Sequence, residues 1–249
     1  MRWVFYLMIW GCLASQTRAD DAVPSATTSL QDQLRQQRDQ LDARLKANPD
    51  DYAAVSARGD VRFFLGDFTA AMEDYDRMLV LHPEESASHW RRGIALFYAS
   101  RPVDAAAQFE KYHSFDNVDR ENGIWRYFSQ VKAIGREKAQ AELLRYEKDD
   151  RPPFPEVYKL FSGELSADQV MESINAGKRS ETEQQSCEFY AHLYIGLNAA
   201  INGDAEVAKK HLELAVKNDW PKTAGYGPRY MWHVGRVHLE LLNRPKVEL

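Results

Sequence analysis

A recurring spacing of about 34 residues constrains the fold of this chain more than any other feature. Three segments carry it: 52–85, 86–119 and 189–220. Each has a glycine at the eighth place, an alanine at the twentieth and a large apolar side chain at the twenty-fourth. These positions are occupied by Gly59, Ala71 and Tyr75; Gly93, Ala105 and Phe109; and Gly196, Ala208 and Leu212. The first copy also has Pro83 at the thirty-second place.

Each position has a physical reason that predicts a pair of helices. The small residues belong where the two helices cross, because a larger side chain would push them apart. Proline ends the second helix, since it lacks a backbone N–H and clashes with the preceding turn. The pairs Gly66-Asp67 and Gly203-Asp204 predict tight turns, in which the glycine adopts a left-handed conformation and the aspartate caps the next helix.

The remaining segments fit the same plan less closely. Residues 30–48 carry one leucine stripe and predict a half-repeat at the N-terminal end. Segment 120–175 is a degenerate helical region, followed by a polar loop over 177–183 and a closing helix, Arg229–Leu242. Its predicted helices are Asn122–Ile134, Glu137–Tyr146, Glu156–Phe161 and Ala167–Ile174. No alternating strand pattern occurs. We therefore expect an all-α helical solenoid over 30–249.

The N-terminus predicts export. Arg2 precedes the apolar run Trp3–Leu13, which is too short to span a bilayer as a helix. Cleavage before Asp20 would remove 1–19 as a signal peptide and leave 20–29 as a flexible linker. Lipidation at Cys12 and an uncleaved anchor remain open, since Trp10 is large for a lipoprotein signal. All three alternatives place the protein in the periplasm or cell envelope.

Composition and motifs exclude several classes. The net charge of −5, with 32 basic and 37 acidic residues, disfavours a nucleic-acid binder. Two cysteines do not make a disulfide scaffold, and we interpret Cys187 as a small apolar residue on a helix. No nucleophile elbow, zinc-protease motif or phosphate loop is present. His89 and His192, at the fourth place of their repeats, are interpreted as packed side chains. We expect no enzymatic activity, cofactor or metal.

The spacing is that of the tetratricopeptide repeat, and the order of segments is more specific. Three stretches carry it: RRGIALFYASRPVDAAAQF (91–109), VYKLFSGELSADQVMESI (157–174) and ETEQQSCEFYAHLYIGLNAAINGDAEVAKKHLELAV (181–216). They resemble the NlpI-type tetratricopeptide lipoproteins of bacteria over most of residues 30–220. The resemblance implies an envelope scaffold that dimerises and binds partners such as cell-wall hydrolases and a periplasmic protease.

Stacked helix pairs present a concave groove lined mainly by the first helix of each repeat. Tryptophan, tyrosine and arginine dominate protein interfaces. The predicted partner-binding residues are Asp60, Phe64, Trp90, Arg91, Ile94, Tyr98, Tyr190 and Tyr194. Two alternatives remain open: these side chains pack against another helix of the chain, or they form the contact of a homodimer in a purely structural oligomerisation module.

Overall fold

The structure, a computed structural model, describes residues 29–148 and 150–244 of the 249-residue chain. The predicted signal peptide, Cys12 and the linker up to residue 28 lie outside the described residues. Within the described ranges the chain forms thirteen α-helices and one 3-10 turn, Pro83–Ser86, with no strand, which confirms the all-α prediction. The helices are α1 Leu30–Ala47, α2 Tyr52–Leu65, α3 Phe68–Leu81, α4 Trp90–Tyr98, α5 Pro102–Phe115, α6 Arg120–Ile134, α7 Arg136–Ala141, α8 Phe154–Ser162, α9 Ala167–Ala176, α10 Glu181–Ile201, α11 Ala205–Lys217, α12 Trp220–Thr223 and α13 Tyr226–Leu242. None of these helices combines the length and apolarity needed to cross a membrane.

Most helices pack on the next helix along the chain, and three of these pairs meet in the same way. A Cβ atom built on Gly59 of α2 would lie 2.7 Å from the Tyr75 ring of α3. The corresponding distance is 2.5 Å from Gly93 of α4 to the Phe109 ring of α5. From Gly196 of α10 to Leu212 of α11 it is 2.8 Å. The prediction that these glycines lie at close helix crossings is confirmed.

The predicted turns and caps are also confirmed. Gly66 and Gly203 adopt positive φ angles of 84° and 82°. The Asp67 carboxylate then accepts a hydrogen bond from the Ala70 N–H at 3.4 Å, and Asp204 caps α11 in the same manner. Since glycine tolerates positive φ without steric cost, each pair reverses the chain within two residues.

Helix α1 covers the N-terminal end of the helix stack. Leu34, Leu41 and Leu45 are buried along one face, and the helix packs against α2. Asn48 is its C-cap, immediately before Pro49. The predicted apolar stripe is therefore the face that joins α1 to the core.

The middle of the chain differs from the prediction in two places. The helix expected over Glu137–Tyr146 is much shorter, since α7 ends at Ala141. The chain then runs without helix to Tyr146, whose ring covers Gly123 and whose hydroxyl donates to the Asp119 carbonyl oxygen at 3.2 Å. The polar loop predicted over 177–183 is also shorter, because a capping box between Ser180 and Glu183 starts α10 at Glu181.

The closing helix α13 packs on α11 and reaches back to α2. Beside α11, the Trp232 indole N–H donates to the Val216 carbonyl oxygen at 2.9 Å. At α2, the Tyr230 ring stacks on Phe63 with centroids 5.3 Å apart. The Arg236 guanidinium donates to the Phe64 carbonyl oxygen at 2.5 Å. The chain thus closes on itself, with its last described helix against its second.

Candidate binding cavity

Helix α13 covers one half of the predicted binding surface through a buried polar network. Asp60 on α2 accepts hydrogen bonds from the Tyr75 and Tyr226 hydroxyls, at 2.8 and 2.6 Å. It also accepts one from the Arg91 guanidinium at 2.7 Å. Each partner lies on a different helix, and Arg91 is mostly buried. The Asp60 carboxylate and the Arg91 guanidinium are therefore paired within the protein, where they link α2, α3, α4 and α13.

Two further predicted residues are covered by the same helix. The Phe64 ring stacks on His233 with centroids 3.8 Å apart. The Tyr98 hydroxyl lies 2.9 Å from Nδ1 of His238, and its ring packs edge-on against Phe63. Phe64 and Tyr98 thus contact the chain's own closing helix, which is the arrangement that the first open alternative describes.

Beside this covered surface lies a cavity of about 370 Å³, to which the buried side chains of Ile94 and Tyr190 contribute. Helices α4, α5, α6, α10, α12 and α13 surround it, together with the loop before α8. Its size lies in the range of about 300–1,000 Å³ that is typical of ligand pockets. The lining residues are Trp90, Ile94, Tyr112, Asp119, Glu121, Asn122, Trp125, Arg151, Pro152, Ser186, Tyr190, Trp220, Gly227, Pro228 and Met231.

Aromatic rings form much of the cavity wall. Trp220 and Tyr190 pack edge to face, with centroids 5.9 Å apart. Trp90 of α4 packs edge-on against Tyr230 of α13, with ring centroids 4.9 Å apart. Trp125 belongs to both the wall and the core, because it is almost fully buried between neighbouring rings. The wall is held in place by the same packing that stabilises the fold.

A cluster of charges forms one side of the cavity. The Glu121 carboxylate accepts hydrogen bonds from the Tyr194 hydroxyl at 2.5 Å and from the Arg151 guanidinium at 2.6 Å. Asp119, the N-cap of α6, lies 3.5 Å from the same guanidinium. Asp150 holds the loop by accepting the backbone N–H groups of Arg120 and Arg151. Three carboxylates therefore surround one guanidinium.

Burial sets the protonation behaviour of this cluster. It raises the pKa of Glu121 to about 7, against the opposing effect of Arg151. Burial also raises the pKa of Asp119. A buried carboxylate loses hydration that one shared guanidinium replaces only in part. Near neutral pH, Glu121 can consequently gain or lose a proton in response to a charge that enters the cavity.

Three of the eight predicted residues line this cavity: Trp90, Ile94 and Tyr190. Tyr194 is fully buried behind it, where its hydroxyl accepts the Trp125 indole N–H at 3.2 Å and donates to Glu121. Sequence reasoning missed Glu121, Arg151 and Trp220. The tryptophan is the final residue of the last clear repeat, outside the first helix that was expected to line the groove, and the two charged residues lie in a degenerate segment where repeat positions predict nothing.

Histidines elsewhere are mostly packed, as predicted. His89 is buried, and its Nδ1 accepts the Arg92 backbone N–H at 3.3 Å as the cap of α4. His192 is half-buried, with Nδ1 3.0 Å from Nδ1 of His211. Cys187 is buried on α10. Within residues 29–148 and 150–244, no three histidine, cysteine, aspartate or glutamate side chains are grouped to hold a metal ion.

No model of a known protein family matches the chain.

Proposed function

We propose that this protein is a non-catalytic scaffold of the bacterial cell envelope, built from tetratricopeptide repeats, that binds a segment of a partner protein in the aromatic cavity. The observation that carries the proposal is the cavity itself. It is open to a ligand, and its wall of Trp90, Tyr190 and Trp220 is of the residue types that dominate protein interfaces.

The repeat assignment rests on the three matching glycine crossings. Each joins a glycine to a large side chain sixteen positions later, on the following helix: Gly59 to Tyr75, Gly93 to Phe109 and Gly196 to Leu212. A recurrence of both spacing and contact is typical of repeat proteins, in which each unit packs on its neighbours. In this proposal the array is a right-handed solenoid whose inner face is partly filled by α13.

The envelope location, the signal peptide and the class of partner rest on the sequence. The apolar run near the N-terminus supports export, and the resemblance to NlpI-type lipoproteins favours cell-wall hydrolases or a periplasmic protease as partners. A homodimer that uses the same aromatic side chains is the second candidate. Trp220 favours the homodimer, because its side chain is half-exposed and a second copy of the chain could cover it.

Filling the cavity tests the proposal. Ser186 lines the cavity without belonging to the buried core, so Ser186→Trp should occupy it at little cost to folding. The matched control is Ser173→Trp at an exposed position of α9. We expect crosslinked partners from an envelope extract to be lost with the first variant and retained with the second, at equal helical content and melting temperature. Capture by Ser186→Trp at the level of the parent chain would contradict the proposal.

Light scattering of the same three proteins separates the second candidate. A dimer that dissociates in Ser186→Trp alone would place the homodimer contact at the cavity. A parent chain that is monomeric at micromolar concentration would exclude that candidate.

A further inference from the structure

We infer that the cavity selects a basic side chain, with a guanidinium or ammonium group that enters between the aromatic wall and the carboxylates of Asp119 and Glu121. This inference rests on the proposed function and names the chemistry of the bound segment. Two features of the cavity support it: the balance of charge and the aromatic rings of its wall.

The charge balance favours a cation. Arg151 is the one basic side chain among the lining residues that the structure describes, and it faces Asp119, Glu121 and Asp150. Its guanidinium is within 2.6 Å of Glu121 but 3.5 Å from Asp119. Asp119 thus has only a long ion pair with this cation. An incoming acidic group would meet the two lining carboxylates, Asp119 and Glu121, whereas a basic group would be attracted to them.

The aromatic wall offers the same preference. The face of a tryptophan or tyrosine ring attracts a cation, most strongly where water is excluded. The Arg151 guanidinium already uses this interaction, lying 4.4 Å from the centroid of Phe154 and 6.0 Å from that of Tyr190. Trp220 and Trp90 add two further aromatic side chains to the wall. A second planar cation could pack on them beside the first.

The ionisation of Glu121 couples this binding to pH. The titratable and charged groups that face Glu121 come from four elements: Asp119 at the N-cap of α6, Asp150 and Arg151 in the loop, Tyr190 and Tyr194 on α10, and Tyr112 on α5. A bound cation favours the ionised carboxylate, so binding should release a proton where Glu121 is partly protonated. Affinity for a basic ligand should therefore rise between pH 6 and pH 8.

The experiment uses the mature chain and three peptides, acetyl-Leu-X-Leu-amide with arginine, glutamine or glutamate as X. Tryptophan fluorescence reports binding, because three of the four tryptophans in the described residues line the cavity: Trp90, Trp125 and Trp220. We expect the arginine peptide to bind at least about tenfold more tightly than the glutamine peptide, as one desolvated cation–π contact or ion pair provides. The glutamate peptide should bind most weakly.

Two variants and one control locate the effect. Glu121→Gln should lower the affinity for the arginine peptide about tenfold and remove its rise with pH, while affinity for the glutamine peptide stays within about twofold. Trp220→Leu, which keeps both carboxylates, should also lower the affinity for the arginine peptide. Glu213→Gln removes an exposed carboxylate of α11 and should change nothing.

The outcomes distinguish this inference from the proposed function. Equal or tighter binding of the glutamine or glutamate peptide overturns the basic-side-chain inference, and partner capture that is still lost in Ser186→Trp would leave the scaffold function standing. No fluorescence response to any of the three peptides also overturns the inference. An arginine preference combined with undiminished partner capture by Ser186→Trp would instead overturn the scaffold function at this cavity.

Discussion

Gly93 lies directly beneath the ring of Phe109, so that a Cβ atom on Gly93 would be only 2.5 Å from Cζ of the phenylalanine. Real Cβ atoms do not approach another carbon this closely, and the ring is fully buried with little room to move. Helices α4 and α5 can therefore pack at their observed distance only because position 93 has no side chain.

Gly93→Ala should lower the free energy of unfolding by about 1–3 kcal/mol, the usual cost of overpacking a core. Gly227→Ala is the matched control in α13, because nothing lies within 4 Å of its added methyl group. Chemical denaturation measures both variants. Alanine is the better helix former, so a stabilised Gly93→Ala would mean that α4 and α5 are not in close contact there. Adding Phe109→Leu to Gly93→Ala should recover part of the loss.

Asp60→Ala should lower the free energy of unfolding by about 3–5 kcal/mol, because it leaves the Arg91 guanidinium buried without its carboxylate partner. The control is Asp76→Ala, whose partner Arg92 is at 2.6 Å but whose own side chain is 42% exposed. That pair should contribute no more than about 1 kcal/mol. Urea denaturation of both variants tests the difference. Similar small losses would show that α13 is not fastened to α2 and α4 through Asp60.

The buried histidines should make the protein sensitive to acid. Burial lowers the pKa of His233 to about 3, and that of His89 to about 3 as well. Since the unfolded chain binds these protons more readily, stability is complete above about pH 6.5 and falls as the pH drops towards the lowered values. Between pH 7 and pH 4.5, the free energy of unfolding of His233→Phe should fall by about 2 kcal/mol less than that of the parent chain. Half-exposed His82, changed to phenylalanine, is the control. Parallel pH curves for parent and His233→Phe would contradict the burial of a neutral imidazole.

Glu121 should act in the opposite direction. Its pKa in the folded protein, about 7, lies above the ordinary value of 4.5. The stabilising contribution of the protonated form is therefore present at low pH and is lost as the pH rises from about 4.5 to 7. As the pH rises from 5 to 8, the parent chain should lose this contribution and Glu121→Gln should not. The free energy of unfolding of Glu121→Gln should therefore rise by roughly 1–3 kcal/mol relative to that of the parent chain. Denaturation midpoints at the two pH values measure this gain, and a constant difference would show that Glu121 stays ionised throughout.

The sequence predicted the parts of the fold that repeat and missed those that do not. Gly59 and Tyr75 recur as a pair in later segments, so their contact could be inferred from spacing alone. The contact between Asp60 and Tyr226 joins residues far apart in the chain, on helices that share no repeat position. Nothing in the periodicity indicates that α13 returns to α2, and the sequence therefore left open whether the groove is free or is filled by another helix of the chain.

The candidate site shows the same division. Trp90, Ile94 and Tyr190 were predicted from their repeat positions, and all three line the cavity. Glu121 and Arg151 meet because the chain leaves helical geometry after Ala141 and crosses back over α6. Such a crossing depends on tertiary contacts of a loop, which leave no pattern in the residues themselves.

The most direct test of the account is site-specific photocrosslinking in cells that produce the whole 249-residue chain. Trp220 at the cavity and Trp232 outside it would each be replaced by p-benzoylphenylalanine, which keeps an aromatic side chain in both cases. The account predicts a discrete adduct with a partner protein from position 220 and none from position 232. Adducts from position 232 alone, or equal adducts from both positions, would contradict binding at the cavity.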